Sequence, residues 1–253
     1  LDKEEIERYK KRFTESAMAW RFSGGGKFQL QPTGDVVYPD FCEQHVIDDL
    51  VEQYDPLRTL WRAWDLGYTR PACVAFQVDR SGKKNVLYSL LGRNIQLTDF
   101  IDDVLAYENE LMPEIENAVD LLPHDANRKY DVSPETSAMI FKRKGLQTDV
   151  IYVKRDTSVV LANEELKEFN QGVPRVRLDS KHCALLCQAL SAYTRDENGV
   201  PRRDKYFEHV SDAFKLGLFY ISKKLQLDSD LPDAHEPVYY NMNFGEHKER
   251  LIN

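Results

Sequence analysis

LWRAWDLGYTRPACVAF, residues 60–76, decides how this chain is read. An apolar run ends at an acid, Asp65; a turn follows around Gly67 and Pro71; a second apolar run opens at Ala72. A carboxylate at such a place is costly to keep charged unless a cation or strong donors lie beside it. Two more acids stand comparably. Asp125 closes the strand-like AVDLLPHD (118–125), and Asp212 opens the helix-like apolar run within YFEHVSDAFKLGLFY (206–220). Carboxylates collected from distant points of a chain onto one sheet edge form a hard-oxygen site suited to Mg²⁺ or Mn²⁺.

Around that stretch the pattern reads strand, strand, strand, helix. LRTLWRAWD (57–65) and PACVAFQVD (71–79) lead into the turn Ser81-Gly82-Lys83-Lys84 and then NVLYSLLGRN (85–94). Strands joined so tightly are expected to be antiparallel. A helix is predicted over 97–112, with Thr98 as its N-cap. Strand and helix then alternate: strand 118–125, helix 133–145, strand 149–155, helix 162–172, and a short strand at 173–179. Alternation of this kind implies right-handed crossovers and parallel pairing. Helices are predicted at 181–193 and 207–225. The fold class expected is α/β, a ribonuclease H-like mixed sheet of three antiparallel strands followed by parallel strands, flanked by helices.

Upstream, residues 2–20 read as an amphipathic helix, and Ser23-Gly24-Gly25-Gly26 as a linker. GDVVYPDF (34–41) reads as extended. After Leu227 the chain turns acidic and proline-interrupted, which reads as irregular. The expected division is therefore 1–33 as a leading segment, 34–227 as the main domain and 228–253 as a tail.

At 253 residues, 42% hydrophobic and 30% charged, the chain has material for a sizeable core. No apolar run approaches 18 residues, so no membrane-spanning helix is expected. The charged start, LDKEEIERYKKRF, is not a signal peptide. The missing initiator Met leads us to expect a piece of a longer polypeptide. A net charge of −8 argues against a protein that grips nucleic acid through its overall charge. It leaves a metal-dependent nuclease open, because bound cations reverse the local field.

Cys42, Cys73, Cys183 and Cys187 are expected to be core or partly buried thiols in a reducing cytoplasm. His182, Cys183 and Cys187 lack a second ligand pair at zinc-site spacing. Basic residues cluster at Lys142-Arg143-Lys144, Lys154-Arg155 and Arg202-Arg203 with Lys205. Each cluster reads either as a solvated surface or as a DNA-facing one.

Each acid also has a structural alternative. Asp65 could be a turn acid beside Gly67, Asp125 a capping acid before Ala126-Asn127, and Asp212 a first-turn acid complementing the helix dipole. His209, three residues before Asp212, shares its helix face and could be a ligand, orient a water, or be structural.

Together the segments GDVVYPDF, WDLGYTRPACVAF (64–76), LLPHDANRK (121–129) and HVSDAFKLGLFY (209–220) resemble the C-terminal nuclease domain of the large terminase subunit of tailed bacteriophages. The last segment is similar to that family's His-x-x-Asp-Ala pattern, with one departure. The family continues Ala-Leu-Arg-Tyr, and here the chain reads Ala213-Phe214-Lys215-Leu216. Lysine keeps the charge but not the bidentate fork of arginine.

The resemblance implies a metal-dependent endonuclease that cuts concatemeric viral double-stranded DNA during packaging. It implies two Mg²⁺ or Mn²⁺ ions, roughly 3.5–4 Å apart, held by Asp65, Asp125 and Asp212, with His209 as a further candidate ligand. Lys142, Arg143, Lys144, Arg202, Arg203 and Lys215 would be the DNA contacts. Residues 1–33 would be the end of an ATPase motor domain. The implied partners are that motor domain, the portal and the small terminase subunit, in the cytoplasm of a bacterial host. GGGKF (24–28) lacks the spacing and the Ser or Thr of a phosphate-binding loop, so no ATP hydrolysis is expected of this chain. A junction resolvase or transposase on the same fold, and a non-catalytic interaction module, are the competing readings.

Overall fold

The computed structural model describes residues 18–22, 28–32, 35–128, 135–170, 172–203 and 207–229. Its centre is a seven-stranded mixed sheet. In chain order the strands are β3 (Val46–Ile47), β4 (Leu60–Asp65), β5 (Ala72–Val78), β6 (Lys84–Leu91), β7 (Ala118–Pro123), β8 (Thr148–Ile151) and β11 (Val176–Asp179), laid side by side as β3-β11-β6-β5-β4-β7-β8. β4, β5 and β6 are mutually antiparallel, whereas β7 joins β4 and β8 joins β7 in parallel. This is the ribonuclease H-like arrangement. The addition is on the far flank, where β11 pairs in parallel with both β6 and β3.

The strands are apolar on both faces because helices cover both. Alternation sorts the side chains. Trp61, Ala63, Ala72, Val74, Phe76 and Leu121 belong to one core cluster, and Leu60, Trp64, Cys73, Ala75 and Leu122 to the other. The second face is closed by α1 (Leu97–Leu111) through Phe100, Ile101 and Val104, and by Phe141 of α2 (Ser137–Arg143). The first face is closed by α3 (Arg155–Lys167), α4 (Ala184–Ala192) and the long α5 (Phe207–Ser229). On β4 and β7, odd-numbered residues face α5 and even-numbered ones face α1.

Several expectations are corrected. Met18–Phe22 form a strand, β1, paired antiparallel with β2 (Phe28–Pro32). Helix is therefore wrong for 18–20, and residues 2–17 lie outside the described residues, as does Ser23–Gly26. The two strands flanking that glycine run pair with each other, Phe22 opposite Phe28.

Thr98 is not the cap of α1; Gln96 occupies the N-cap, with no side-chain hydrogen bond. α2 begins at Ser137, where the Thr136 hydroxyl accepts from the Met139 amide; residues 133 and 134, its expected start, lie outside the described residues. α3 starts at Arg155 rather than 162, because Val159, Ala162 and Leu166 fall on one helix face and are buried against the α5-side core. The expected helix end at 168–172 is instead β9 (Phe169–Asn170), paired antiparallel with β10 (Val173–Pro174). α5 runs to Ser229, past the end of the helix expected at 207–225. Cys42 is exposed rather than buried, and all four cysteines are free thiols. No helix among the described residues is long and apolar enough to cross a membrane.

Candidate active site

Asp65 is the last residue of β4, and by parity its side chain leaves the sheet on the α5 face. What brings α5 to it is Gly217. A Cβ there would stand 2.3 Å from Phe76 Cε2, so the helix presses its backbone onto the β5 ring at that point. His209 lies eight residues earlier, roughly 12 Å along a helix axis. Phe76 pairs across the sheet with Trp61, and Asp65 lies four residues beyond Trp61, roughly 13 Å along the strand. The two lengths match. The His209 Nδ1 to Asp65 Oδ2 distance is 2.6 Å, a contact between residues 144 apart in sequence. Gly67 completes the fit, since a Cβ there would meet the Arg70 carbonyl oxygen at 2.7 Å and His209 Cε1 at 3.1 Å.

Asp212 follows one turn along α5, a third exposed at its side chain. Its Oδ1 is shut off from solvent and accepts no hydrogen bond. The neighbour of that oxygen is the ammonium of Lys215, at 2.5 Å, an ion pair whose angles are not those of a hydrogen bond. Lys215 itself is only 3% exposed, so it stands within the carboxylate group rather than on an open surface.

Asp125 is not on β7. The strand stops at Pro123, and the acid sits in a 3₁₀ turn, His124–Asn127, exposed to solvent. It nevertheless acts on Asp65. Burial first, then the charges of Asp212 and Asp125, raise the Asp65 carboxyl above its ordinary pKa, against the lowering effect of His209. The hydrogen bond to Asp65 in turn raises the His209 imidazole, against its own burial. Asp212 and Asp125 are therefore each within electrostatic reach of Asp65.

Nucleases of the ribonuclease H-like fold usually use divalent ions. The donor chemistry fits: carboxylate oxygens, one of them buried and unbonded, with an imidazole alongside. Among the described residues, however, no three His, Cys, Asp or Glu side chains are close enough to enclose an ion.

The remaining candidates divide. Lys142 is exposed. Arg143 is engaged by Glu135 through two hydrogen bonds, of 3.0 and 3.1 Å, and Lys144 by Asp102. Arg202 and Arg203 are exposed, with Arg202 Nε donating to the Arg195 carbonyl. His124 packs edge-on against the exposed Tyr152.

Sequence reasoning passed over a third strand acid. Asp120, fully buried on β7, accepts from Arg62 Nε (2.9 Å), Arg62 Nη2 (2.7 Å) and Trp64 Nε1 (2.7 Å), while Arg62 Nη1 also donates to Glu108 of α1. Its even number puts it on the α1 face, away from Asp65. The alternation in Ala118-Val119-Asp120-Leu121 was the available signal.

No protein-family model matches the chain, and no curated protein does. Solved structures do. The fowlpox virus Holliday junction resolvase matches at 18% identity over 65% of this chain and 99% of its own, with a TM-score of 0.34. The large terminase of bacteriophage HK97 matches at 11% identity over 66% of this chain and 39% of its own, with a TM-score of 0.42. The yeast mitochondrial Holliday junction resolvase Ydc2 matches at 12% identity over 72% and 85%, with a TM-score of 0.39. At these identities the likeness is one of fold.

Proposed function

We propose that this chain is a divalent-metal-dependent DNA endonuclease whose carboxylates are Asp65, Asp125 and Asp212. The observation that carries the reading is the 2.6 Å contact between His209 and Asp65, which joins the acid ending β4 to the His-x-x-Asp turn of α5. Bound divalent ions would supply an activated water and neutralise charge on both oxygens of an in-line phosphodiester hydrolysis. Asp65, Asp125 and Asp212 would hold them. His209 would orient Asp65 by holding Oδ2. Gly67 lets the β4–β5 turn and the imidazole approach each other.

The substrate we favour is double-stranded DNA cut during viral genome packaging. The support is the sequence motifs in their order: the acid ending β4, LLPHDANRK, and HVSDAF. In that reading residues 1–33 end an ATPase motor domain, residues 34–227 carry the nuclease and 228–253 follow as a tail. The portal and the small terminase subunit are its partners, and the host cytoplasm is its place of action. The competing reading is a junction resolvase, and the names of the matched structures lean that way, with more resolvases than terminases among them.

One experiment separates them. The chain is incubated with supercoiled plasmid, linear duplex and a four-way junction, with Mn²⁺ or Mg²⁺, beside EDTA. Asp65→Ala, Asp125→Ala and Asp212→Ala should each abolish cleavage while leaving the circular dichroism spectrum unchanged. Full activity in all three variants would sink the site assignment. Cleavage confined to the junction would replace packaging with resolution.

A further inference from the structure

Lysine is among the side chains least often buried, yet Lys215 lies 3% exposed inside α5's contact with the sheet. A Lys–Asp pair at i,i+3 on a solvated helix contributes little. This pair differs, because Asp212 Oδ1 is closed to water and takes no hydrogen bond, so the nearby ammonium is what answers its charge. The Asp212 oxygen is held at 2.5 Å by a single ammonium on a flexible four-carbon stem, whereas Asp120 is held by the two-pronged guanidinium of Arg62.

Resting on the endonuclease reading above, we propose that Lys215 is a tethered cation that occupies the metal-binding oxygen of Asp212 until a divalent ion displaces it. It is a positioning residue, acting through Asp212. Two cations cannot share one carboxylate oxygen without strong repulsion, so ion entry requires the ammonium to withdraw. Lys215 thus keeps the empty acid group from repelling itself apart, and it weakens metal affinity below what the carboxylates alone would give. This also accounts for a lysine where the resembled family has arginine: an unbranched ammonium can retreat along its stem, whereas a guanidinium fork would be held by its several donors.

The test is Mn²⁺ titration calorimetry on the 253-residue chain, on Lys215→Met and on Asp65→Ala, with thermal unfolding of each in EDTA. Lys215→Met should bind Mn²⁺ about 10-fold or more tightly, a difference of about 1.4 kcal/mol, and should unfold at a lower temperature than the parent without metal. Lys215→Gln, which keeps a polar head, serves as a second variant should the methionine form fold poorly, and should also tighten binding. If the parent binds Mn²⁺ and Asp65→Ala does not, but the Lys215 variants match the parent or bind more weakly, the tethered-cation role is overturned while the metal site stands. If neither the parent nor any variant binds Mn²⁺, both fall. Binding that appears only in the Lys215 variants supports both.

Discussion

Replacing Arg62 with methionine is the most demanding check on how this fold holds its acids in place. Arg62 on β4 and Asp120 on β7 are direct cross-strand partners, and both are buried. In Arg62→Met the hydrophobic stem stays, but Asp120 keeps only the Trp64 indole of its three donors, and Glu108 keeps only the Tyr88 hydroxyl at 2.6 Å. Burial already pushes both carboxyls above their ordinary range, against the pull of Arg62, so without the guanidinium Asp120 must take up a proton or stay charged and uncompensated. Breaking one side of such a buried pair costs about 3–5 kcal/mol, against a total of about 5–15 kcal/mol for a domain.

With a urea slope of about 2 kcal/mol per molar, the midpoint should fall by about 1.5–2.5 M. The double variant Arg62→Met/Asp120→Asn removes both charges and leaves an amide oxygen for Trp64. It should recover at least about 2 kcal/mol relative to additivity. Equilibrium urea unfolding followed by tryptophan fluorescence reads both numbers. A loss below about 1 kcal/mol in the single variant, or strict additivity in the double, refutes the argument. The pair also sets register: a one-residue slip of β7 would turn Asp120 to the α5 face and displace the turn that carries Asp125.

Two further outcomes are expected. His209 and Asp65 both have pKa values raised in the folded state, so each favours the protonated form on folding. Their stabilising effect is fully present below the ordinary values and is lost as pH rises through the higher folded ones. In EDTA, the melting temperature should therefore fall as pH rises from the ordinary histidine value of 6.5 upward, and His209→Gln should flatten that slope; an unchanged slope refutes the pairing. Gly67→Ala places a Cβ 2.7 Å from the Arg70 carbonyl oxygen, a backbone atom that cannot yield cheaply. It should destabilise by about 1–3 kcal/mol in urea unfolding and weaken Mn²⁺ binding by shifting His209, whereas a neutral effect on both would show the turn to be loose.

Much of this was legible in the residues. Apolar runs of strand length at β4, β5 and β6, tight turns between them, and the switch to strand–helix alternation after α1 are local facts, and they sufficed for the ribonuclease H-like order of strands. The acids at 65, 125 and 212, and the histidine one turn before the last, could be picked out because charge interrupts apolar runs there. Local pattern could not say that α3 begins at Arg155: Thr157, Ser158, Val159 and Val160 are weak helix formers, and burial of Val159, Ala162 and Leu166 against another part of the chain overrides that. Nor could it separate Asp120 from Asp125. Only pleat parity in the folded sheet turns the first toward Arg62 and α1, and only the early end of β7 at Pro123 leaves the second on an exposed turn.

The sequence by itself determined which side chains carry charge into the apolar core and at what periodicity. The tertiary structure alone decided which of them meet. Gly217 against Phe76 fixes how far α5 slides along the sheet, and that one close approach puts His209 on Asp65 and buries Lys215 against Asp212. The reason is distance: His209 and Asp65 are 144 residues apart and meet only through packing that no local pattern encodes, whereas Lys215 lies one helical turn from Asp212 and owes only its burial to that packing.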